Sequence, residues 1–351
     1  MAYTTVNDSS KHFQAALYSG NGDTNAITFG GNSDMQPDWV WIKCRSSGST
    51  NPYCWDSTRG VTKYISPSQT IAQSADAASL TAFGSDGFTM GDGGAEMNHS
   101  DGRTYIGWGW KCNGGTTATN SNGNIDTTVQ TNTTAGFSIV QWEGANSTAT
   151  LGHGLGAVPE LIISKCIDTT QEWGVYHRAL GNDDYLHLNE DAAEQDNNAY
   201  WSDTTPTSTV WSVGNSGPTN DNGDTMIAYV FTPIQGFSKF GTYTGNGVNP
   251  GTFVHTGFKP RLVIIKNFSR ASTNWIMCPG TIDTLNPVND LFEINNSDAA
   301  DTAIVDIDFY SNGFTQRGTG HPVNTSGDTY VYMAWAEEPF VTSTGIPGTA
   351  R

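Results

Sequence analysis

The residues of this 351-residue chain that could hold an ion or move a proton are its carboxylates, histidines and thiols. Asp221, Asn222 and Asp224 lie close together, and Asp92 and Asp101 sit in a glycine-rich stretch. Calcium would need six to eight oxygen ligands at regular carboxylate spacing. No complete Asp-x-Asp-x-Asp-Gly loop is present, so the glycines beside these acids read as hairpin turns that need positive φ. A glycosidase needs two carboxyls at a fixed separation across a cleft. Glu143, Glu172, Glu190, Glu194, Glu293, Glu337 and Glu338 are available, yet none recurs at a matched position in every copy of the repeat set out below. A Gly-x-Ser-x-Gly nucleophile elbow is absent. The histidines are His12, His99, His153, His177, His187, His255 and His321, with no His-x-x-x-His pair for zinc. Cys44, Cys54, Cys112, Cys166 and Cys278 show no Cys-x-x-Cys spacing and read as small buried thiols. Cys44 and Cys54 flank a hairpin loop across which they could meet, if their geometry permits a bond. These patterns predict no catalytic set, no metal and no cofactor; a polysaccharide-degrading enzyme is the reading least supported.

The elements that would position such residues come in triplicate. An opening phrase appears as Tyr18-Ser19-Gly20-Asn21-Gly22, Trp142-Glu143-Gly144-Ala145-Asn146 and Tyr243-Thr244-Gly245-Asn246-Gly247. A middle phrase runs from a proline through an apolar stretch to a lysine: Pro37 to Lys43, Pro159 to Lys165 and Pro260 to Lys266. The closing phrase is a turn and a strand: Asp101-Gly102-Arg103-Thr104-Tyr105, Asn222-Gly223-Asp224-Thr225-Met226 and Ser326-Gly327-Asp328-Thr329-Tyr330. From the proline to the closing glycine the distances are 65, 64 and 67 residues. A period of about a hundred residues exceeds that of solenoids and matches one small domain with its own core.

The chain divides into an arm at 1–13, a first repeat at 14–112, a link at 113–135, a second repeat at 136–232, a third at 236–340 and a tail at 341–351. Ile125, Thr127 and Val129 alternate with polar residues and predict one short strand in the link. Leu161-Ile162-Ile163 and Leu262-Val263-Ile264-Ile265 are apolar on both faces, which predicts sandwiches with extra loops over them. With glycine turns about every ten residues, the fold class is all-β: three tandem antiparallel β-sandwich domains. Helix-like segments occur at one repeat position, Ile71–Leu80, Glu190–Ala199 and Ser297–Ala303, and vary in sequence as surface loops do.

Net charge is −18 with only 14% charged residues. No basic stripe is available for phosphates, which argues against nucleic acid and anionic membranes. No apolar run is long enough to span a bilayer, and no signal-peptide pattern is visible, so assembly in a cytoplasm is expected. Most aromatics, Trp39, Trp41, Trp108, Trp110, Trp173, Trp275 and Trp335 among them, fall at matched strand sites and belong to the core. Tyr200 and Trp201 end a variable loop, where an exposed indole could stack on a sugar face or pin its own loop. Lys43, Lys165 and Lys266 either contact a ligand or snorkel to water from strand ends. His177 and Asp56 occupy equivalent positions, where the third copy has Pro279.

The order Phe13-Gln14, Leu17-Tyr18-Ser19-Gly20-Asn21-Gly22, Gln36-Pro37-Asp38-Trp39-Val40-Trp41-Ile42-Lys43, Gly136-Phe137-Ser138-Ile139-Val140, Gly152-His153-Gly154-Leu155-Gly156 and Ala334-Trp335-Ala336-Glu337-Glu338-Pro339-Phe340 resembles a tandem-repeat family of tailed-phage virion proteins, abundant in marine phages such as those of cyanobacteria. The resemblance covers nearly the whole chain. It implies sandwiches of the SPRY, concanavalin-A-like or jelly-roll kind and a structural role on the virion without a catalytic motif. Two placements follow from it: a tail- or fibre-associated adhesin for host-surface glycans, or a capsid decoration protein that reinforces the head. The partners expected are other virion proteins, host glycans and further copies of the chain, as trimers or other rings. Tyr200 and Trp201 are the expected ligand residues, and Tyr3, His12 and Phe13 of the arm are the expected docking residues.

Overall fold

In each copy of the repeat the opening phrase forms a strand that pairs antiparallel with the strand of the closing phrase. The computed structural model describes residues 3–92, 96–301, 305–320 and 322–348. In the first copy the sheet order is Phe13–Ser19, Thr104–Trp110, Trp39–Cys44, Tyr53–Asp56. The second copy repeats it with Phe137–Glu143, Thr225–Phe231, Leu161–Cys166, Trp173–His177 and Asp184–His187, and the third with Ser238–Thr244, Thr329–Pro339, Phe258–Asn267, Ile276–Pro279 and Phe292–Glu293. A smaller antiparallel sheet packs on one face of each. It comprises Asn25–Ile27, Gly87–Met90 and Leu80–Gly84 in copy one, Ala149–Gly152 and Val210–Val213 in copy two, and Val254–His255, Gly313–Gln316 and Ile307–Tyr310 in copy three. The architecture is the expected all-β sandwich. The link 113–135 contributes two strands, Ala118–Asn120 and Thr127–Asn132, which extend the large sheet of copy two.

Both faces of each large sheet are covered, the second by the sheets and loops of the neighbouring copies. Strand alternation sends Val40, Ile42 and Cys44 into the sandwich of copy one and Trp39, Trp41 and Lys43 the other way. Ile162 and Cys166 face inward in copy two, while Leu161, Ile163 and Lys165 face out, as Leu262, Ile264 and Lys266 do in copy three. These outward faces meet one another. Trp39 stacks on Tyr229 of copy two at 4.2 Å and 14°. Trp110 meets Trp335 of copy three edge-on at 5.4 Å, and Phe231 of copy two reaches the same indole at 5.5 Å. The three copies therefore share one central core in addition to their sandwich cores. This corrects the picture of three separately cored domains. Burying each such aromatic side chain stabilises the fold by about 2–3 kcal/mol.

A cycle of loops closes the centre. A backbone N–H from each copy donates to the carbonyl two residues beyond the repeated lysine of another: Gln73 to Ile167 at 2.8 Å, Glu194 to Phe268 at 2.9 Å and Ala300 to Arg45 at 3.1 Å. Copy one thus grips copy two, copy two grips copy three, and copy three grips copy one. The gripping loops contain the segments expected as helices. Ile71–Leu80 and Glu190–Ala199 instead carry short strands at Ser74–Ala75 and Gln195–Asp196, with one helical turn at Asn198–Trp201. No helix occurs at 297–301, and Ala303 lies outside the described residues. Alanine-rich propensity yields to these long-range backbone bonds.

The lysines complete the same grip. Lys165 Nζ donates to Thr70 O at 3.0 Å, Lys266 Nζ to Asp191 O at 3.1 Å and Lys43 Nζ to Asn296 O at 2.8 Å. All three side chains are buried, so the expectation that they snorkel to water is corrected. Desolvation lowers each ammonium to about 8, against the pull of nearby acids such as Asp298 and Glu293 at Lys43.

Candidate functional site

The repeated turns are structural. Gly102, Gly223 and Gly327 have φ of 81°, 75° and 84°, the conformation a hairpin glycine supplies. Beside each turn a buried asparagine accepts a backbone N–H from the opening phrase: Asn98 from Asn21 at 3.1 Å, Asn220 from Ala145 at 2.9 Å and Asn324 from Asn246 at 3.0 Å. Among the acids weighed for calcium, Asp221 accepts from Gln171 and Asp224 from Thr169.

Tyr200 and Trp201 do not face outward. They are 5% and 1% exposed, because the turn Asn198–Trp201 folds them into the sandwich core of copy two. Trp201 meets Tyr176 edge-on at 5.8 Å, and Tyr200 stacks on Tyr185 at 3.6 Å. The loop-pinning alternative describes them, and neither ring offers a sugar a free face. The arm residues are likewise engaged within the chain. Tyr3 donates its hydroxyl to Gly257 O at 2.7 Å, His12 lies 5.8 Å from Phe237, and Phe13 is buried between Trp110 and Trp335. Tyr3, His12 and Phe13 therefore contact copy three and do not stand free for docking.

His177 and Asp56 face neighbouring copies at the centre. Asp56 accepts from Tyr229 at 2.8 Å and from Arg59 Nε at 2.5 Å, all three buried. His177 Nε2 lies 3.4 Å from Tyr332 O, and burial lowers its pKa to about 4. The five cysteines are free and buried. Cys44 lies in the sandwich core and Cys54 in the central core, on opposite faces of the sheet, which answers whether they pair. His321 lies outside the described residues.

One surface feature with the character of a binding site is an open groove of about 440 Å3 on copy three, lined by Pro250, Gly251, Phe253, Tyr310, Ser311, Asn312 and Thr315. Phe253 is 48% exposed and lies 5.9 Å from Tyr310. Gly313 allows this placement, since a Cβ there would come within 2.1 Å of Val254 O and 3.0 Å of the Phe253 ring. Tyr310 donates to Asp308 at 3.3 Å, which also accepts from Arg317 at 2.8 Å, so the phenol is held by a charged anchor. Two aromatic rings beside hydroxyl and amide groups form a stacking platform with polar handles.

The sequence did carry a signal for this groove. Val254 pairs with Phe314 as Ile27 pairs with Phe88 and Leu151 with Trp211, which places Ala26 and Thr150 at the position of Phe253. Tyr310 pairs with Gly313 as Gly84 pairs with Gly87, so Phe83-Gly84-Ser85-Asp86-Gly87-Phe88 stands against Phe309-Tyr310-Ser311-Asn312-Gly313-Phe314. Both aromatics are departures from the repeat, and reading for what recurs passes over them.

Two clusters bring together atoms able to hold a metal ion among the described residues: Cys166 with Asp221 and Asp224, and Glu172 with His187 and Glu190. Both clusters are hydrogen-bonded: Thr169 donates to Asp224 at 2.7 Å and Gln171 to Asp221 at 2.8 Å in the first, and His187 Nδ1 lies 2.7 Å from Glu190 Oε2 in the second. No helix among the described residues is long and apolar enough to cross a membrane. No curated protein and no solved structure matches the chain. A family described as a domain of unknown function, DUF7483, matches residues 8–339, and this all-β chain belongs to that family.

Proposed function

We propose that this chain is a non-catalytic structural protein of a bacteriophage particle, exposed on the tail or fibre, which presents the groove of copy three to host-surface glycans. The observation that carries the adhesive role is the half-exposed Phe253 beside Tyr310, set on a body whose first copy has Ala26 and Gly84 at those places and whose second has Thr150 at the first of them. A pyranose ring offers an apolar face to stack on the aromatics and hydroxyls for Ser311, Asn312 and Thr315. The surrounding chemistry favours a neutral sugar, since the chain is sparing in charge and carries −18 overall. The virion placement rests on the resemblance of the repeated phrases along nearly the whole chain. Other virion proteins are the partners in this reading, and oligomerisation multiplies weak sugar contacts into useful avidity.

A glycan array and titration with host surface polysaccharide test the adhesive role. Binding that weakens about tenfold in Phe253→Ala supports it, and no binding by the unaltered protein sinks it. Immunogold labelling of particles tests the placement. Label on tails supports it, whereas label at fixed copy number on heads replaces it with capsid decoration, where the closed central core would serve as reinforcement.

A further inference from the structure

The cluster Glu172, His187 and Glu190 differs from its counterpart in copy three in a way that points to a cation. The alignment of the two copies is fixed by backbone. Trp173 N–H donates to Asn189 Oδ1 at 2.8 Å, and Trp275 N–H donates to Asn295 Oδ1 at 3.0 Å. On this frame Glu172, His187 and Glu190 correspond to Asn274, Glu293 and Asn296. In copy three amides satisfy the set: Asn295 Nδ2 donates to Asn274 Oδ1 at 2.7 Å, and Asn296 Nδ2 donates to Glu293. Copy two replaces both outer amides by carboxylates and the central carboxylate by imidazole. Its three ligand atoms lie within 4.8 Å of one another.

The geometry around the imidazole is that of a prepared ligand. His187 Nδ1 faces Glu190 Oε2 at 2.7 Å, while Nε2 is held by the Tyr200 hydroxyl at 2.7 Å. Tyr200 is itself fixed by stacking on Tyr185. A metal-bound histidine needs such a partner on its other nitrogen to set tautomer and ring orientation. Asn189 Nδ2 similarly holds the Glu172 carboxylate. The Glu190 side chain is 37% exposed, which leaves an entry path and room for a water ligand. One imidazole nitrogen and two carboxylate oxygens with an open position suit a divalent ion of the zinc class.

We propose that Glu172, His187 and Glu190 bind a divalent transition-metal ion of the zinc class, and that the ion locks the loop by which copy two grips copy three. The backbone of that loop carries the grip: His187 O accepts from Trp275 Nε1 at 2.8 Å, and Asp191 O accepts from Lys266 Nζ and from Thr273 N–H. Holding His187 and Glu190 to Glu172 therefore stiffens an inter-copy contact. The site departs from the expectation that the chain binds no metal, and it stands apart from the groove, so either can fail alone.

The test is titration of the full-length, EDTA-stripped protein with zinc chloride, followed by calorimetry and thermal unfolding. One ion per chain should bind, and the melting temperature should rise by about 4 °C at a hundredfold excess over Kd. Glu172→Gln and Glu190→Gln preserve shape and should each weaken binding at least about tenfold while leaving the metal-free melting temperature within about 2 °C. Tyr200→Phe, a positioning change, should weaken zinc about tenfold. Asp224→Asn, in the other cluster, should change nothing, and X-ray absorption should show nitrogen and oxygen ligands without sulfur. Absence of a thermal shift, titrations unaltered by Glu172→Gln and Glu190→Gln, or sulfur in the coordination shell would each overturn the proposal.

Discussion

At the centre of the molecule Arg45, Ile167 and Phe268 each accept one backbone N–H from another copy, and Lys43, Lys165 and Lys266 each donate to a loop carbonyl there. At the rim the same repeat has Ala26, Thr150 and Phe253 at one position, and Gly84 and Tyr310 at another. Contacts that must close a cycle tolerate little change, since altering one copy leaves a buried partner unpaired. Outer hairpins carry no such constraint. The difference teaches where to look for function in a triplicated chain: at positions where one copy breaks its own rule. Phe253, Tyr310 and the Glu172–His187–Glu190 cluster are such positions, while Trp201, variable in sequence, is spent on packing, and Tyr200 is buried with its hydroxyl on His187.

The sharpest way to break this comparison is to damage the centre. Trp39→Ala removes a ring that touches Trp41, Trp110, Phe137 and Tyr229. It should cost about 4 kcal/mol in urea unfolding. Far-UV and tryptophan signals of the unaltered protein should coincide in one transition; separate transitions for separate copies would show that the shared core does not couple them.

Acid probes the same region through His177. Its pKa is lowered from 6.5 to about 4, so between those values the unfolded chain holds a proton that the folded chain refuses. Stability is fully present above pH 6.5 and is lost as pH falls toward 4, by about 3 kcal/mol from this group. Urea midpoints of His177→Met should show a flatter acid limb than the parent; parallel limbs would remove His177 from the account. The smallest stability effect belongs to the rim. Phe253→Ala should change unfolding free energy by no more than about 0.5 kcal/mol.

Much of the fold was legible because it is local. Period-two alternation, the glycine turns and the apolar runs of Leu161-Ile162-Ile163 and Leu262-Val263-Ile264-Ile265 specify strands covered on both faces. What covers the second face was not legible, because pairing Trp39 with Tyr229 joins positions 190 residues apart, and periodicity is silent on such contacts. The alanines within Ile71–Leu80 suggested helix, yet the Gln73 N–H is committed to Ile167. Loop position left Trp201 either exposed to a sugar or pinning its own loop, and one helical turn and a neighbouring Tyr176 bury it. The groove was readable all along as Tyr310 against Gly84.

The most direct test gives copy three the rim of copy one, by the double substitution Phe253→Ala and Tyr310→Gly, and measures binding to host surface polysaccharide alongside thermal unfolding. The account predicts that saccharide binding disappears while the melting temperature stays within about 3 °C of the parent. Binding retained at the parent affinity, or a parent protein that binds no saccharide, would contradict it.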